Sequence, residues 1–323
     1  MRPETLFNRI MSSSPVAAID LGSNTVRLLV AVAEDGHIRR ILAQQESTRL
    51  AEQLQPDHPL HPQAAERTYR VLERYQHMAV QAGAVKTLVG ATMAIRLASD
   101  GSRFLSRVAE ALNVETRLLS GEDEARLTTA GVLTVLEPGP ETTMVFDLGG
   151  RSTEFAFVQN GVIQKSISLP MGSVGLTEAY LRHDPPLSEE INALRDHIGH
   201  QLAQGLPGFE TAIGRARVVG TAGTTTTLAA MDQGMVEYLR ELIDNYKLRR
   251  ENLVNLFHRM LAVPTAVRAD MPGLPKARAD IIPAGALTVL TIMDYFKSDK
   301  ITVSDAGLLE GIWLVAAGLK ELH

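Results

Sequence analysis

Two stretches of this chain repeat one pattern. Residues 18–30 read AIDLGSNTVRLLV and residues 144–158 read MVFDLGGRSTEFAFV. Each runs through apolar residues into Asp-Leu-Gly, passes small polar residues, and returns through a second apolar run. In the first copy the acid is Asp20 and the turn carries Gly22, Ser23, Asn24 and Thr25. In the second the acid is Asp147, the turn carries Gly149, Gly150, Arg151, Ser152 and Thr153, and Glu154 opens the return strand. Glycine supplies backbone angles that other residues resist. A tight hairpin tip showing backbone N–H groups makes a cradle for phosphate oxygens. Acids flanking it, Asp147 and Glu154, can hold a hard divalent cation against that phosphate. A single glycine turn is an ordinary hairpin element. Recurrence of the whole pattern at 147 − 20 = 127 residues, about one domain of chain, predicts two similar halves that each offer a phosphate-binding hairpin to a shared cleft.

The 323 residues leave room for two domains and a sizeable core. There is no cysteine, which excludes disulfides, thiolate catalysis and cysteine zinc sites and fits a reducing compartment. The net charge of −5 is not that of a nucleic-acid-binding polycation, and no apolar run is long enough to span a membrane. Residues 1–14 read as a loose polar lead-in.

Along the chain, Val16–Asp20, Val26–Val32 and Ile38–Gln44 predict three consecutive strands, with a turn at Asp35-Gly36. A helix follows from about Pro62 to Ala82. Ser120 and Asp123 form a capping-box pattern for a helix running towards Leu136. Glu122, Asp123 and Glu124 fill its first turn, where acids complement the helix dipole. Spacing alone does not decide whether Glu124 does more. In the second half, Val162–Leu169 is the third strand. Ser188 is expected to cap a helix, a helix is expected over Ala277–Phe296, and Ser304-Asp305 is expected to cap a final helix, Ala306–Leu319. A Gly-rich loop, GTAGTTTTLAAM at 220–231, enters a helix whose N-terminus favours anions. His183-Asp184 has the look of a metal-phosphohydrolase dyad, but Pro185-Pro186 follows it and no histidine cluster accompanies it.

With these stretches in view, the chain resembles the exopolyphosphatase/guanosine pentaphosphate phosphohydrolase family. RLAEQL (49–54), ATMAIR (91–96), LLSGEDEARL (118–127), DLGGRSTEF (147–155), SLPMGSVGLTE (168–178), VGTAGT (219–224) and VSDAGLLEG (303–311) carry the resemblance. It implies an α/β fold of two ribonuclease-H-like (actin-like ATPase) domains with the active site in the interdomain cleft. The corresponding division is 15–126, 127–304, and a C-terminal helix, 305–323, returning to the first domain. By position, the resemblance implies that Glu124 orients or deprotonates the attacking water, with Glu122 as the alternative. It implies that Asp147 and Glu154 hold Mg²⁺ with Asp20 as their counterpart, and that Gly22–Thr25 and Gly149–Thr153 seat phosphate. Arg27, Arg96 and Arg278 are implied to lie near the substrate. Arg151 departs from the family pattern, which has a third glycine there.

The activity implied is Mg²⁺-dependent release of orthophosphate from inorganic polyphosphate. The alternatives are guanosine pentaphosphate hydrolysis, or non-catalytic binding of guanosine tetraphosphate-type alarmones or polyphosphate. A cytoplasmic homodimer is the expected form, with neither nucleic acid nor membrane as partner.

Overall fold

Strand β1 (Val16–Leu21) is buried along its whole length, as its apolar run Val16–Ile19 requires of a central strand covered on both faces. The structure, a computed structural model, describes residues 14–34, 37–209 and 212–320. The lead-in expected over 1–14 (apart from Ser14) and the Asp35-Gly36 turn lie outside the described residues. The chain divides into two compact units, with boundaries after Thr134 and after Ala306.

In the first unit, β1 pairs antiparallel with β2 (Thr25–Glu34), and β2 with β3 (His37–Ser47). After α1 (Pro62–Gln81), β4 (Thr87–Ala91) joins β1 in parallel. Helices α2 (Met93–Leu97) and α3 (Gly101–Leu112) lead to β5 (Glu115–Leu118), parallel to β4, and then to α4 (Gly121–Leu133). The sheet order is β3-β2-β1-β4-β5. One core joins Val71, Leu72 and Tyr75 of α1, and Phe104 and Val108 of α3, to Ile19, Leu28 and Val89. A second joins Ala18, Leu29 and Leu88 to Leu127 and Ala130 of α4 and to Ile312 and Trp313 of the C-terminal helix, Leu308–Ala316. The Trp313 indole N–H donates to the Val16 carbonyl at 3.2 Å. Emptying such a site by Trp→Ala costs about 3–5 kcal/mol. Where α4 meets the C-terminal helix, a Cβ on Gly131 would stand 2.0 Å from the Gly307 carbonyl oxygen, and one on Gly311 2.1 Å from that of Leu127. Only glycine permits this backbone approach.

The second unit repeats the plan. β6 (Thr142–Leu148), β7 (Thr153–Gln159) and β8 (Val162–Leu169) form an antiparallel meander. Helices α5 (Ser173–Tyr180) and α6 (Ser188–Gly205) follow, then β9 (Arg217–Thr221), parallel to β6, and α7 (Ala222–Asp232). After β10 (Lys247–Arg249), α8 (Arg250–Leu261), α9 (Thr265–Arg268) and α10 (Ile282–Tyr295), β11 (Lys300–Val303) joins β9 in parallel. The order is β10-β11-β9-β6-β7-β8. Read from the third strand of each meander, both sheets run third, second, first, fourth, and then one further parallel strand. The second sheet adds β10 at its edge. Even the register shifts correspond: Val30/Ala31 in β2 and Phe157/Val158 in β7, with 157 − 30 = 127. These are the two ribonuclease-H-like domains of an actin-like fold.

Several expected boundaries move. Domain limits expected after 126 and after 304 lie earlier than those observed, because Leu127 and Ala130 stay buried in the first unit's core. The final helix starts at Leu308, not Ala306. Residues 304–306 are instead held to the second unit, with the Ser304 amide donating to the Gly220 carbonyl and the Asp305 amide to Asp244. Glu310, not Ser304 or Asp305, takes the Gly307 amide at 2.7 Å. Leu187 rather than Ser188 is the N-cap of α6, with Glu190 accepting its amide at 2.9 Å. The helix expected from Ala277 begins at Ile282, after a 3₁₀ turn at Lys276–Arg278.

Candidate active site

In each unit the predicted site residues gather at the carboxyl ends of the parallel strands, the edge where open α/β sheets hold ligands.

In the first unit, β1 ends at Leu21 and the hairpin tip follows. The Gly22 amide donates to the Thr25 carbonyl at 3.1 Å. The tip carbonyls are tied back: Ala51 donates to Ser23, and Thr48 and Arg49 both donate to Asn24, at 2.8–2.9 Å. In a trans peptide the C=O and N–H point opposite ways, so the Asn24 and Thr25 amides are turned away from this support. Asp20 lies directly across from Arg27 in the β1–β2 register. It is only 7% exposed, and its Oδ1 has no hydrogen-bond partner among the described residues. Burial pushes its carboxyl up to about 6; Arg27 opposes the rise and Glu310 adds to it. Glu310 is itself buried and pairs with Arg40.

On the same edge, β4 and β5 deliver Arg96 and Glu124. Arg96, in the last turn of α2, donates to Glu124 Oε1 at 2.9 Å and to the Leu119 carbonyl. Glu124 sits in the first turn of α4, its side chain one-quarter exposed. The neighbouring acids have different employment. Asp123 completes the capping box with Ser120, its amide donating to Ser120 Oγ at 3.1 Å, and Glu122 is exposed.

In the second unit the tip is built the same way. The Gly149 amide donates to the Ser152 carbonyl at 3.0 Å. The Ser173 amide donates to the Gly149 carbonyl, and the Val174 and Gly175 amides to that of Gly150, at 2.9–3.0 Å. The N-terminus of α5 is therefore spent on the tip, and the Gly150 and Arg151 amides are turned outward. The amides of Asn24, Gly150 and Arg151 donate to no group among the described residues. Thr153 is fully buried, its hydroxyl donating to the Met171 carbonyl at 2.7 Å. It braces the tip from within. Asp147 and Glu154 are direct cross-strand partners, and both are half-buried. The Ser168 hydroxyl donates to Glu154 Oε1 at 2.7 Å. Arg151 extends to Glu178 on α5, Nη1 to Oε2 at 2.7 Å. Arg278 packs on the first turn of α7, its Nη2 lying 2.0 Å from where a Gly223 Cβ would stand. The Thr224 hydroxyl contacts Ser173 Oγ at 3.4 Å, joining that turn to the base of the tip.

Two opposed carboxylates beside outward amides are an oxygen-only donor set of the kind Mg²⁺ takes. Mg²⁺ commonly uses one or two carboxylates and completes its shell with water and phosphate oxygens. Among the described residues, no three His, Asp or Glu side chains form a metal-binding group. His183-Asp184 serves structure. Asp184 accepts the Thr265 amide at the start of α9. His183 pairs with Glu190 at 2.9 Å. Burial works against the Glu190 charge, but His183 and the Leu187 and Arg182 amides hold it down to about 2.

Sequence reasoning had not assigned Ser168, Glu178, Arg40 or Glu310. Ser168, Glu178 and Glu310 lie inside the stretches 168–178 and 303–311 that carry the resemblance, so their neighbourhoods were visible although their partners were not.

The family described as the Ppx/GppA phosphatase family matches residues 29–318. Among curated proteins, exopolyphosphatase 2 of Mycobacterium tuberculosis is 29% identical over 95% of this chain and 100% of its own length. A crystal structure of the Aquifex aeolicus Ppx/GppA family member is 31% identical, with a TM-score of 0.87 over 96% of this chain and 99% of that one. An exopolyphosphatase structure from Cytophaga hutchinsonii, 21% identical, shares the fold with a TM-score of 0.82 over 95% of this chain and 99% of that one.

Proposed function

The chain belongs to the Ppx/GppA phosphatase family, and from that premise we propose that it is an exopolyphosphatase, releasing orthophosphate from the end of inorganic polyphosphate. The observation that carries this reading is the pairing of Asp147 with Glu154 beside a tip whose amides are turned outward. A ligand with phosphate oxygens suits the amides, and the acid pair makes sense beside an anion only through a cation. The curated relative named exopolyphosphatase 2 supports the choice of substrate.

Phosphoanhydride cleavage asks the protein mainly for positioning and charge neutralisation. The outward amides of Gly150 and Arg151 bind oxygens of the terminal phosphate. Glu124 accepts a proton from the attacking water, and Arg96 orients its carboxylate through Oε1. Asp147 and Glu154 hold Mg²⁺, which when bound neutralises phosphate charge. Ser168 fixes one oxygen of Glu154. Arg278, set against the first turn of α7, adds positive charge near the phosphates.

The test is orthophosphate release from long-chain polyphosphate and from guanosine pentaphosphate, each with Mg²⁺ and with chelator. Faster Mg²⁺-dependent release from polyphosphate is expected. Faster release from guanosine pentaphosphate would transfer the assignment to the nucleotide, and binding without release from either would reduce the protein to a receptor.

A further inference from the structure

Arg151 occupies the tip of the second hairpin, where its own amide is one of the outward donors. Its side chain runs back along α5, passing 3.8 Å from where a Cβ on Gly175 would stand. It ends on Glu178 in a forked contact, Nη1–Oε2 at 2.7 Å and Nη2–Oε1 at 3.4 Å. Both side chains are more than half exposed, at 63% and 57%.

We propose that Arg151 is a mobile specificity arm, parked on Glu178 and transferred to a phosphate beyond the terminal one when the substrate is a chain. This rests on the reading above that the tip seats a terminal phosphate. A phosphate held by the Arg151 amide lies beside the Arg151 backbone, so the side chain starts where the polyanion enters. The terminal phosphate is already served by amides, so the guanidinium adds most further along.

Magnitudes favour the transfer. An ion pair this exposed is worth no more than about fivefold in an equilibrium. A charge-assisted bond to phosphate is worth about ten- to a hundredfold. Glu178 gives up the arm readily, and only a ligand with several phosphates collects the gain. Glu178 acts through Arg151 alone and is a positioning residue.

The experiment compares the parent with R151G, E178Q and the double variant R151G/E178Q. Affinity is measured for orthophosphate, as an inhibitor, and for pyrophosphate, tripolyphosphate and long-chain polyphosphate, at two salt concentrations. R151G is expected to weaken long-chain binding about ten- to a hundredfold, less so at high salt. E178Q is expected to tighten it about two- to fivefold, and the double variant to match R151G. Orthophosphate inhibition should change least, the effect growing as the ligand lengthens.

Equal weakening by R151G and E178Q would make the pair a brace for the tip and overturn the arm. So would an effect of the same size on orthophosphate and on long chains. If the parent releases orthophosphate from polyphosphate while the variants bind every ligand as it does, the arm fails and the function stands. If the parent neither binds nor hydrolyses any of the ligands, the function fails first and takes the arm with it.

Discussion

One residue before the end of the first strand, the hairpin β1–β2 sets Asp20 against Arg27, while β6–β7 sets Asp147 against Glu154. Both tips close with the same glycine amide-to-carbonyl bond, and both have their carbonyls tied back by the chain that follows the third strand. The backbone is thus held constant while the charge facing the aspartate is reversed. An acid across from a guanidinium has its counter-charge built in. An acid directly across from an acid is repulsive unless a cation or proton lies between them. The difference teaches that one hairpin backbone can present either an acid with a cationic neighbour or a pair of acids, and that a single cross-strand residue decides which.

The largest effect tests whether the chemistry lies outside both hairpins. Glu124→Gln should keep the fold, because a first-turn glutamine is tolerated, and lower turnover ~10²–10⁴-fold. Single-turnover orthophosphate release measures this. A smaller loss than that from either tip aspartate would move the chemistry back to the hairpins.

The second prediction concerns the buried acid of the first hairpin. Asp20 is pushed up to about 6 in the fold from an ordinary 3.8. Stability associated with its protonated form is fully present below about 3.8 and is lost as pH rises through about 6. Above that, the charged carboxylate costs the fold up to roughly 3 kcal/mol. Asp20→Asn, compared by denaturant unfolding in chelator, should therefore gain stability at pH 8 and none at pH 3.5. A gain that persists at the lower pH would show that ionisation is not its source.

The third addresses the acid pair. Glu154→Gln and Asp147→Asn should each raise the Mg²⁺ concentration for half-maximal turnover at least about tenfold to a hundredfold, while Asp20→Asn should leave it nearly unchanged. Equal shifts in all three variants would erase the distinction between the hairpins. The smallest effect belongs to Ser168→Ala, which removes one hydrogen bond to Glu154 and should raise the same Mg²⁺ midpoint by about tenfold, the low end for a group that orients a ligand, with the unfolding midpoint unmoved.

Much of this was legible because the hairpins carry their instructions locally. The Asp-Leu-Gly steps and the capping box at Ser120 and Asp123 are short-range patterns, the 127-residue repeat is the recurrence of one of them, and each has its counterpart in the fold. The partner residues were not legible, for a geometric reason. Counting back along β8 from the Asn160-Gly161 turn sets Ile167 across from Glu154. The register shift at Phe157/Val158 advances the pairing by one, and Ser168 arrives there instead. A one-residue slip exchanges the faces of a strand, and nothing in the run VIQKSISL announces it. Arg40 and Glu310 meet across 270 positions, a pairing that no local pattern encodes. The start of the last helix was misjudged because Ser304 looks like a cap, whereas residues 304–306 are held by Gly220 and Asp244.

Trp313 also bears on the order in which the molecule comes into being. The second unit is one uninterrupted stretch, but the first is closed by a helix that follows that whole stretch in the chain. Until then Ala18, Leu29 and Leu88 lack Trp313 and Ile312, so the half made first is the half finished last. Its sheet waits with one greasy face partly bare, at the stage when nascent chains are most prone to aggregate. A chain ended before Gly307 and tethered to the ribosome by a linker long enough to clear the exit tunnel should therefore display a protease-resistant second unit attached to a protease-sensitive first one.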